Sequence, residues 1–391
     1  MARSPLPLPA RVSNALLLLT VPALALALAG CGTGGDDQGD RSQPANTVAV
    51  TLTPDDCAAN PGSTPAGATT FKVTNQDASA VSELELLSGD RVLGEKENLT
   101  PGLSGSFTLD LAAGSYTLVC PGAKQERTDF TVTGSSAGGS TGTPATSQEL
   151  TQALEQYRDY VEDQVEQLVA ATKEFTDAVR AGDVARAKQL YAPTRVFYER
   201  IEPVAETFGD LDPAIDARIN DVDDPSRWTG FHRIEQALWE RGSTAGMAPV
   251  ADRLKLDVDK LAVAVETIDY QPAQLANGAS ELLDEVANSK VTGEEERYSH
   301  TDLVDFAANL DGAEKAFTLL EPELKEHDPA LASTITDRFA EVRTSLEAYR
   351  DGDGYRLYTE LTPAQVKELA TQVDALAEPL SQVAAKIVEG R

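Results

Sequence analysis

Residues 134–147 (GSSAGGSTGTPATS) hold no large apolar side chain, and the pattern of the sequence changes across them. A stretch of Gly, Ser, Thr and Ala makes a flexible connector, so the chain must bury two separate sets of apolar residues. Before the connector the apolar residues alternate, at 47–53, 69–73, 106–111, 115–119 and 129–133. Turn signals such as Asn60-Pro-Gly62, Ser88-Gly-Asp90 and Pro101-Gly102 separate these runs. The pattern predicts a small antiparallel β-sandwich over 47–133. After the connector the period becomes helical. Ser147 is placed to cap a long helix whose apolar residues run from Leu150 to Val179. Further amphipathic stretches cover 183–208, 226–241, 247–269, 272–288, 299–321, 330–350 and 362–389. The last opens with the capping-box arrangement Thr362-Pro363-Ala-Gln365. The fold class is therefore multidomain: an all-β sandwich followed by an all-α helical bundle over 148–391.

The start of the chain reads as an address. Arg3 and Arg11 flank the approach to an apolar run over 16–28, too short and proline-interrupted to span a bilayer comfortably. Leu28-Ala29-Gly30-Cys31 closes it. That order is the layout of a bacterial lipoprotein signal, with a leader over 1–30, cleavage before Cys31, lipid on Cys31 and a polar tether over 31–46. An ordinary secretory leader with an incidental cysteine is the alternative. The expected location is the extracytoplasmic face of the cell membrane.

Charge narrows the partners. With 63 acidic against 33 basic residues, the formal net charge of −30 argues against nucleic acid and is compatible either with attracting cations or with simple solubility. The three histidines, His232, His300 and His327, all follow the connector. A blue-copper centre needs two imidazoles beside its thiolate, so the sandwich lacks the residues for one. With Cys31 assigned to lipid, Cys57 and Cys120 form either a disulfide or part of a metal site. Glu83, Glu85, Asp55 and Asp56 are the nearby candidate oxygen donors.

In the bundle, Trp228-Thr-Gly-Phe-His-Arg-Ile-Glu235 places His232 and Glu235 one helical turn apart, where imidazole and carboxylate can converge on one ion. The same pair could simply share a hydrogen bond. Glu199, Glu202 and Glu206 form a carboxylate stripe of the kind hard cations favour. That stripe lies opposite Phe197, Ile201 and Val204, so read alone it is a solvated face with Arg195 paired to Glu199. Asp302, Asp305 and Asn309 share a third face. No H-E-x-x-H, G-x-S-x-G or glycine-rich phosphate loop is present.

Taken together, Ala192-Pro-Thr-Arg195, Tyr198-Glu-Arg-Ile-Glu-Pro203, the 228–235 segment and Tyr298-Ser-His-Thr-Asp-Leu303 resemble the extracytoplasmic components of Efe-type iron uptake systems. The helical body of that family is of the imelysin kind, marked by G-x-H-x-x-E, here Gly230, His232 and Glu235. Asp55-Asp-Cys57, Asn98-Leu-Thr-Pro-Gly102 and Tyr116-Thr-Leu-Val-Cys120 are similar to its cupredoxin-like domain. The resemblance implies an iron-binding protein that delivers ferrous or ferric iron to a permease, with copper or zinc as alternative ions. A haem peroxidase of the same system is the second implied partner. His232 and Glu235 would be the firmest ligands, with Glu199, Glu202 and Asp305 adding oxygen donors. A second metal site is implied near Cys57, Cys120 and Glu85. The segment after Cys57 lacks the methionine a copper-type site would use, which leaves the disulfide as the other reading. Imelysin is named for an inferred peptidase activity, so a metallopeptidase built on the same H-x-x-E is the rival function.

Overall fold

Alternating burial along the strands builds two sheets. The computed structural model describes residues 46–134, 147–222, 224–288 and 290–390. The leader, Cys31 and nearly all of the tether and connector lie outside the described residues.

The first region contains β1 (Asn46–Leu52), β2 (Cys57–Asn60), β3 (Ser63–Pro65), β4 (Gly67–Asn75), β5 (Leu84–Ser88), β6 (Arg91–Lys96), β7 (Ser104–Leu111), β8 (Gly114–Val119) and β9 (Arg127–Thr133). One sheet has the order β2-β1-β4-β7, the other β3-β9-β8-β5-β6. The expected purely antiparallel sandwich is corrected in two places, since β1 pairs with β4 and β3 with β9 in parallel. Between β1 and β4 the chain runs out along β2 and crosses to the other sheet as β3, so it returns beside β1 in the same direction. Phe71 stacks on Phe107 at 5.1 Å and meets Phe130 edge-on at 5.5 Å, filling the space between the sheets. Buried Asn75 ties two loops together, donating towards the carbonyls of Val81 at 2.8 Å and Leu99 at 2.6 Å.

The second region contains α1 (Gln148–Ala181), α2 (Val184–Glu199), α3 (Leu211–Asp216), α4 (Gly230–Trp239), α5 (Ala248–Val265), α6 (Pro272–Asn288), α7 (Asp302–His327), α8 (Pro329–Glu347), α9 (Pro363–Leu380) and α10 (Val383–Glu389). Ser147 caps α1, and Thr362 with Gln365 forms the capping box of α9. The single helix expected over 183–208 stops at Glu199 and continues as a 3-10 segment, Glu202–Phe208. Pro203 explains the break: it lacks an N–H and its ring clashes with the carbonyl four residues earlier. The helix expected over 362–389 likewise divides after Leu380. No helix among the described residues is long and apolar enough to cross a membrane.

The two regions pack into one unit. Asn277 of α6 donates to the Thr108 carbonyl at 2.9 Å, and Lys96 of β6 reaches Glu281 at 2.8 Å and Asp284 at 2.7 Å.

Candidate metal centre

The start of α4 sets the position of the histidine. Gly230 has φ of +85°, and a Cβ there would collide with the Ile215 carbonyl oxygen. Only glycine lets the helix begin this close to α3. The close approach brings Asp216, the last residue of α3, beside His232. Gly278 of α6 performs the same service against the Pro203 carbonyl, bringing the 3-10 segment that starts with Glu202 against α6.

His232 is 2% exposed, and its two nitrogens face different surroundings. Nδ1 lies 3.1 Å from Glu235 Oε2 and 3.4 Å from the Tyr191 hydroxyl. Nε2 has no hydrogen-bond partner although it is buried. It points between Asp216 Oδ1 at 3.7 Å and Glu295 Oε1 at 3.6 Å. Two sets of donors therefore converge within 4.8 Å of one another: Asp216, His232 and Glu295 on the Nε2 side, and His232, Glu235 and Glu296 on the other. Glu235 is held firmly, accepting from the backbone N–H groups of Tyr298 at 2.8 Å and Ser299 at 2.7 Å. This anchors α4 to the irregular segment that carries Glu295 and Glu296.

Two buried cations neutralise the surrounding carboxylates. Arg195 is fully buried and pairs with Glu199, Asp216, Glu296 at 2.7 Å, Glu295 at 3.4 Å and Asp305 at 3.5 Å. Lys290 is held by Glu202, with Glu199 at 3.8 Å. Arg218 closes the outer side, reaching Glu295 at 2.9 Å and Asp221 at 2.8 Å. A cleft of about 220 Å³ opens here. Its bundle side includes Glu202, Asp216, Glu281, Glu285 and Glu295, and its sandwich side Glu95 and Glu97.

The electrostatics follow from crowding of charge at low dielectric. Burial and the Arg195 charge push the His232 ring down, yet the hydrogen bond to Glu235 and the nearby Glu295 and Asp216 carboxylates raise it to about 10. Burial would raise Glu235, but the His232 ring and the two backbone N–H groups hold it below the usual carboxylate range. Burial and the neighbouring Glu235 charge raise Glu296 to about 8. Glu295 sits well below the usual value: burial is overcome by Lys290, Arg218 and His232.

The structure thus brings His232 and Glu235 together and places Glu199, Glu202 and Asp305 around them, each engaged with a buried cation. The expectation that Glu199 lies on a solvated face is corrected. The face of α2 that is buried runs through Ala187, Tyr191, Thr194, Arg195, Tyr198 and Glu199. Packing of α7 across that face shields the ion pair that sequence alone assigned to water. Asp216, Glu295 and Glu296 were not anticipated. The one signal for Glu295 and Glu296 was the acidic run Glu294-Glu295-Glu296, followed by Arg297 and Tyr298, a pattern that usually marks solvated charge. His300 takes φ of +59° and bonds through its backbone to Glu296 and Tyr358, outside the cluster. His327 lies with Glu323 at 3.3 Å near the far end of α7.

In the sandwich, Cys57 and Cys120 are joined in a buried disulfide. Both sulfurs are thereby used, and no thiolate is left for the second metal site considered above. Glu85 sits on β5, paired in the ladder with Glu95 of β6 and Val119 of β8.

Comparison with known proteins agrees with this architecture. The imelysin family model matches residues 153–383. The iron uptake system component EfeO of Escherichia coli O157:H7 is 42% identical over 340 residues, covering 86% of this chain and 90% of the relative. The proteins of the same name from Escherichia coli K12 and Shigella flexneri are 41% identical over the same length and coverage.

Proposed function

Because this chain belongs to the EfeO family of iron uptake components, we propose that it captures iron outside the cell membrane and passes it to a permease. The ion is held by His232 Nε2, Asp216 and Glu295. The observation that carries this reading is the buried Nε2, unpartnered and aimed between two carboxylates. Buried polar atoms are nearly always satisfied, so an orphan ring nitrogen in an acidic site fits a position for a cation. One nitrogen with several carboxylate oxygens suits iron better than a sulfur-rich site would.

In this reading Glu235 is the outer partner of the histidine. It accepts the hydrogen bond from Nδ1–H, which fixes the tautomer with Nε2 free to bind, the arrangement that orients metal-bound histidines generally. Because the surrounding carboxylates raise the ring's affinity for a proton, an ion at Nε2 competes with that proton, and loading is expected to release it. Glu199, Glu202 and Asp305 supply the surrounding negative field. The lipid anchor on Cys31, the location at the membrane's outer face, and a haem peroxidase as second partner belong to the same proposal.

A metallopeptidase would require a water position on the metal and a free general base. Glu235 is poorly suited to act as that base, with one oxygen on two backbone N–H groups and the other on the imidazole.

Equilibrium dialysis of the purified protein against ferrous and ferric iron tests the reading. Tight retention is expected in the wild type, a loss of about a hundredfold or more in His232→Ala, and about 10–100-fold in Glu235→Gln. Retention unchanged in His232→Ala would overturn the assignment. Peptide cleavage by the loaded protein that disappears in Glu235→Gln would transfer the site to the peptidase reading.

A further inference from the structure

The floor of the cleft holds a cation that the iron site does not use. Lys290 is 6% exposed, and its ammonium is surrounded by carboxylates from four positions. Glu202 holds it directly, while Glu199 lies at 3.8 Å, Glu295 at 3.8 Å and Glu285 at 3.9 Å. Three of the four are thus beyond hydrogen-bond distance, so the ring of oxygens is wider than one ammonium needs. Glu295 is shared: Oε2 faces Lys290 while Oε1 faces His232 Nε2 at 3.6 Å.

We propose that the Lys290 ammonium is a surrogate for the cargo, filling an oxygen cage beside His232 until a metal cation enters and displaces it. This rests on the reading that the cleft binds iron. A monovalent ammonium neutralises the cage well enough for the empty protein to fold. A di- or trivalent ion attracts the same oxygens more strongly, because the interaction scales with charge. Once Lys290 leaves, Glu202 loses its ammonium partner and can turn to the ion, while Glu295 keeps its Arg218 contact at 2.9 Å.

The backbone permits the exchange. Lys290 lies beyond the end of α6, in the three-residue turn Lys290–Thr292, and Gly293 follows with φ of +78°. Its side chain lines the open cleft, so it can swing outward without unwinding a helix. Return of the ammonium would then drive the ion out, which makes Lys290 an affinity-setting residue that favours hand-off over storage.

Two measurements on the full-length protein decide the matter. In the first, an amine-reactive acylating reagent is applied with and without saturating iron, and modification at Lys290 is read by mass spectrometry. The surrogate role predicts protection in the iron-free protein and labelling in the loaded one. In the second, iron affinity of Lys290→Met is measured by competition with nitrilotriacetate, and it should tighten about tenfold or more. Unchanged protection of Lys290 at iron saturation overturns the proposal, whatever the variant does. So does equal or weaker iron binding by a folded Lys290→Met protein. Failure of the wild type to retain iron at all overturns both this inference and the functional reading beneath it.

Discussion

The sandwich and the bundle both exclude water from a continuous apolar interior, yet they treat charge in opposite ways. Among the described residues, the buried polar side chains of the sandwich are uncharged: Thr64, Thr69, Asn75 and Thr108. Its interior is held by stacked aromatics and a disulfide. The bundle instead buries Arg195, Glu199, His232, Glu235, Lys290, Glu295, Glu296 and Asp305 in one connected cluster. Removing ions from water is expensive, and their mutual attraction often fails to repay it. A helical bundle could fold with leucine at these positions. The cluster therefore costs stability that an apolar bundle would keep, as expected if it is retained for the proposed metal site.

That contrast can be broken experimentally, and the most severe attempt concerns Arg195. Replacing it by Met leaves several buried carboxylates without their counter-charge, so unfolding free energy should fall by about 3–5 kcal/mol. Denaturant titration checks this, and a change below about 1 kcal/mol would show that the cluster is not held together by charge.

Next in size is the sandwich itself. Cys57→Ser with Cys120→Ser opens a link between residues 63 apart. It should lower sandwich stability by about 2–4 kcal/mol, seen by calorimetry. Iron affinity measured where the sandwich remains folded should stay within about twofold, since no sulfur belongs to the proposed site. A large loss of iron binding would erase the distinction between the two regions.

The smallest effect sharpens the comparison at the junction. Burial, followed by neighbouring acidic charge, raises Glu83 to about 7 and Glu97 to about 8. Burial raises Glu281 to about 7 against the pull of Lys96. Between the ordinary value of 4.5 and these values the folded protein binds more protons than the unfolded chain. Their contribution to stability therefore falls as pH rises from about 4.5 to about 8 and levels off above. Glu235 and Glu295, held below the usual range, act in the opposite sense: their contribution is present above 4.5 and lost in acid. Denaturant titrations of the metal-free protein from pH 5 to 8.5 should show a shallower decline in Glu97→Gln than in the wild type. An identical slope would remove Glu97 from the account.

The order of fold types was readable because period-two and helical patterns are strictly local, and the Ser147 and Thr362–Gln365 caps are written within four residues. His232 and Glu235 were readable for the same reason, sitting a single turn apart. Asp216 was not, because it ends a six-residue helix with too few apolar positions to show a period. Glu295 and Glu296 lie between helices, where an acidic run looks the same whether it faces water or a buried arginine. From apolar spacing alone Glu199 falls on the solvated side of its helix, because Phe197, Ile201 and Val204 mark one buried face. A long-range partner, α7, covers the other one. The parallel strand pairs escaped for a related reason, since β2 and β3 are too short to announce a crossover.

Glu95 and Glu97 face Glu281 and Glu285 across the cleft, so its two banks come from opposite sides of the connector. Cutting the chain there would yield a helical half that keeps Asp216 and Glu295 but has lost one bank of the cleft they line. If the proposed site is right, an ion would enter at this joint, and substitutions on β6 would then change the rate of loading without touching the proposed ligands.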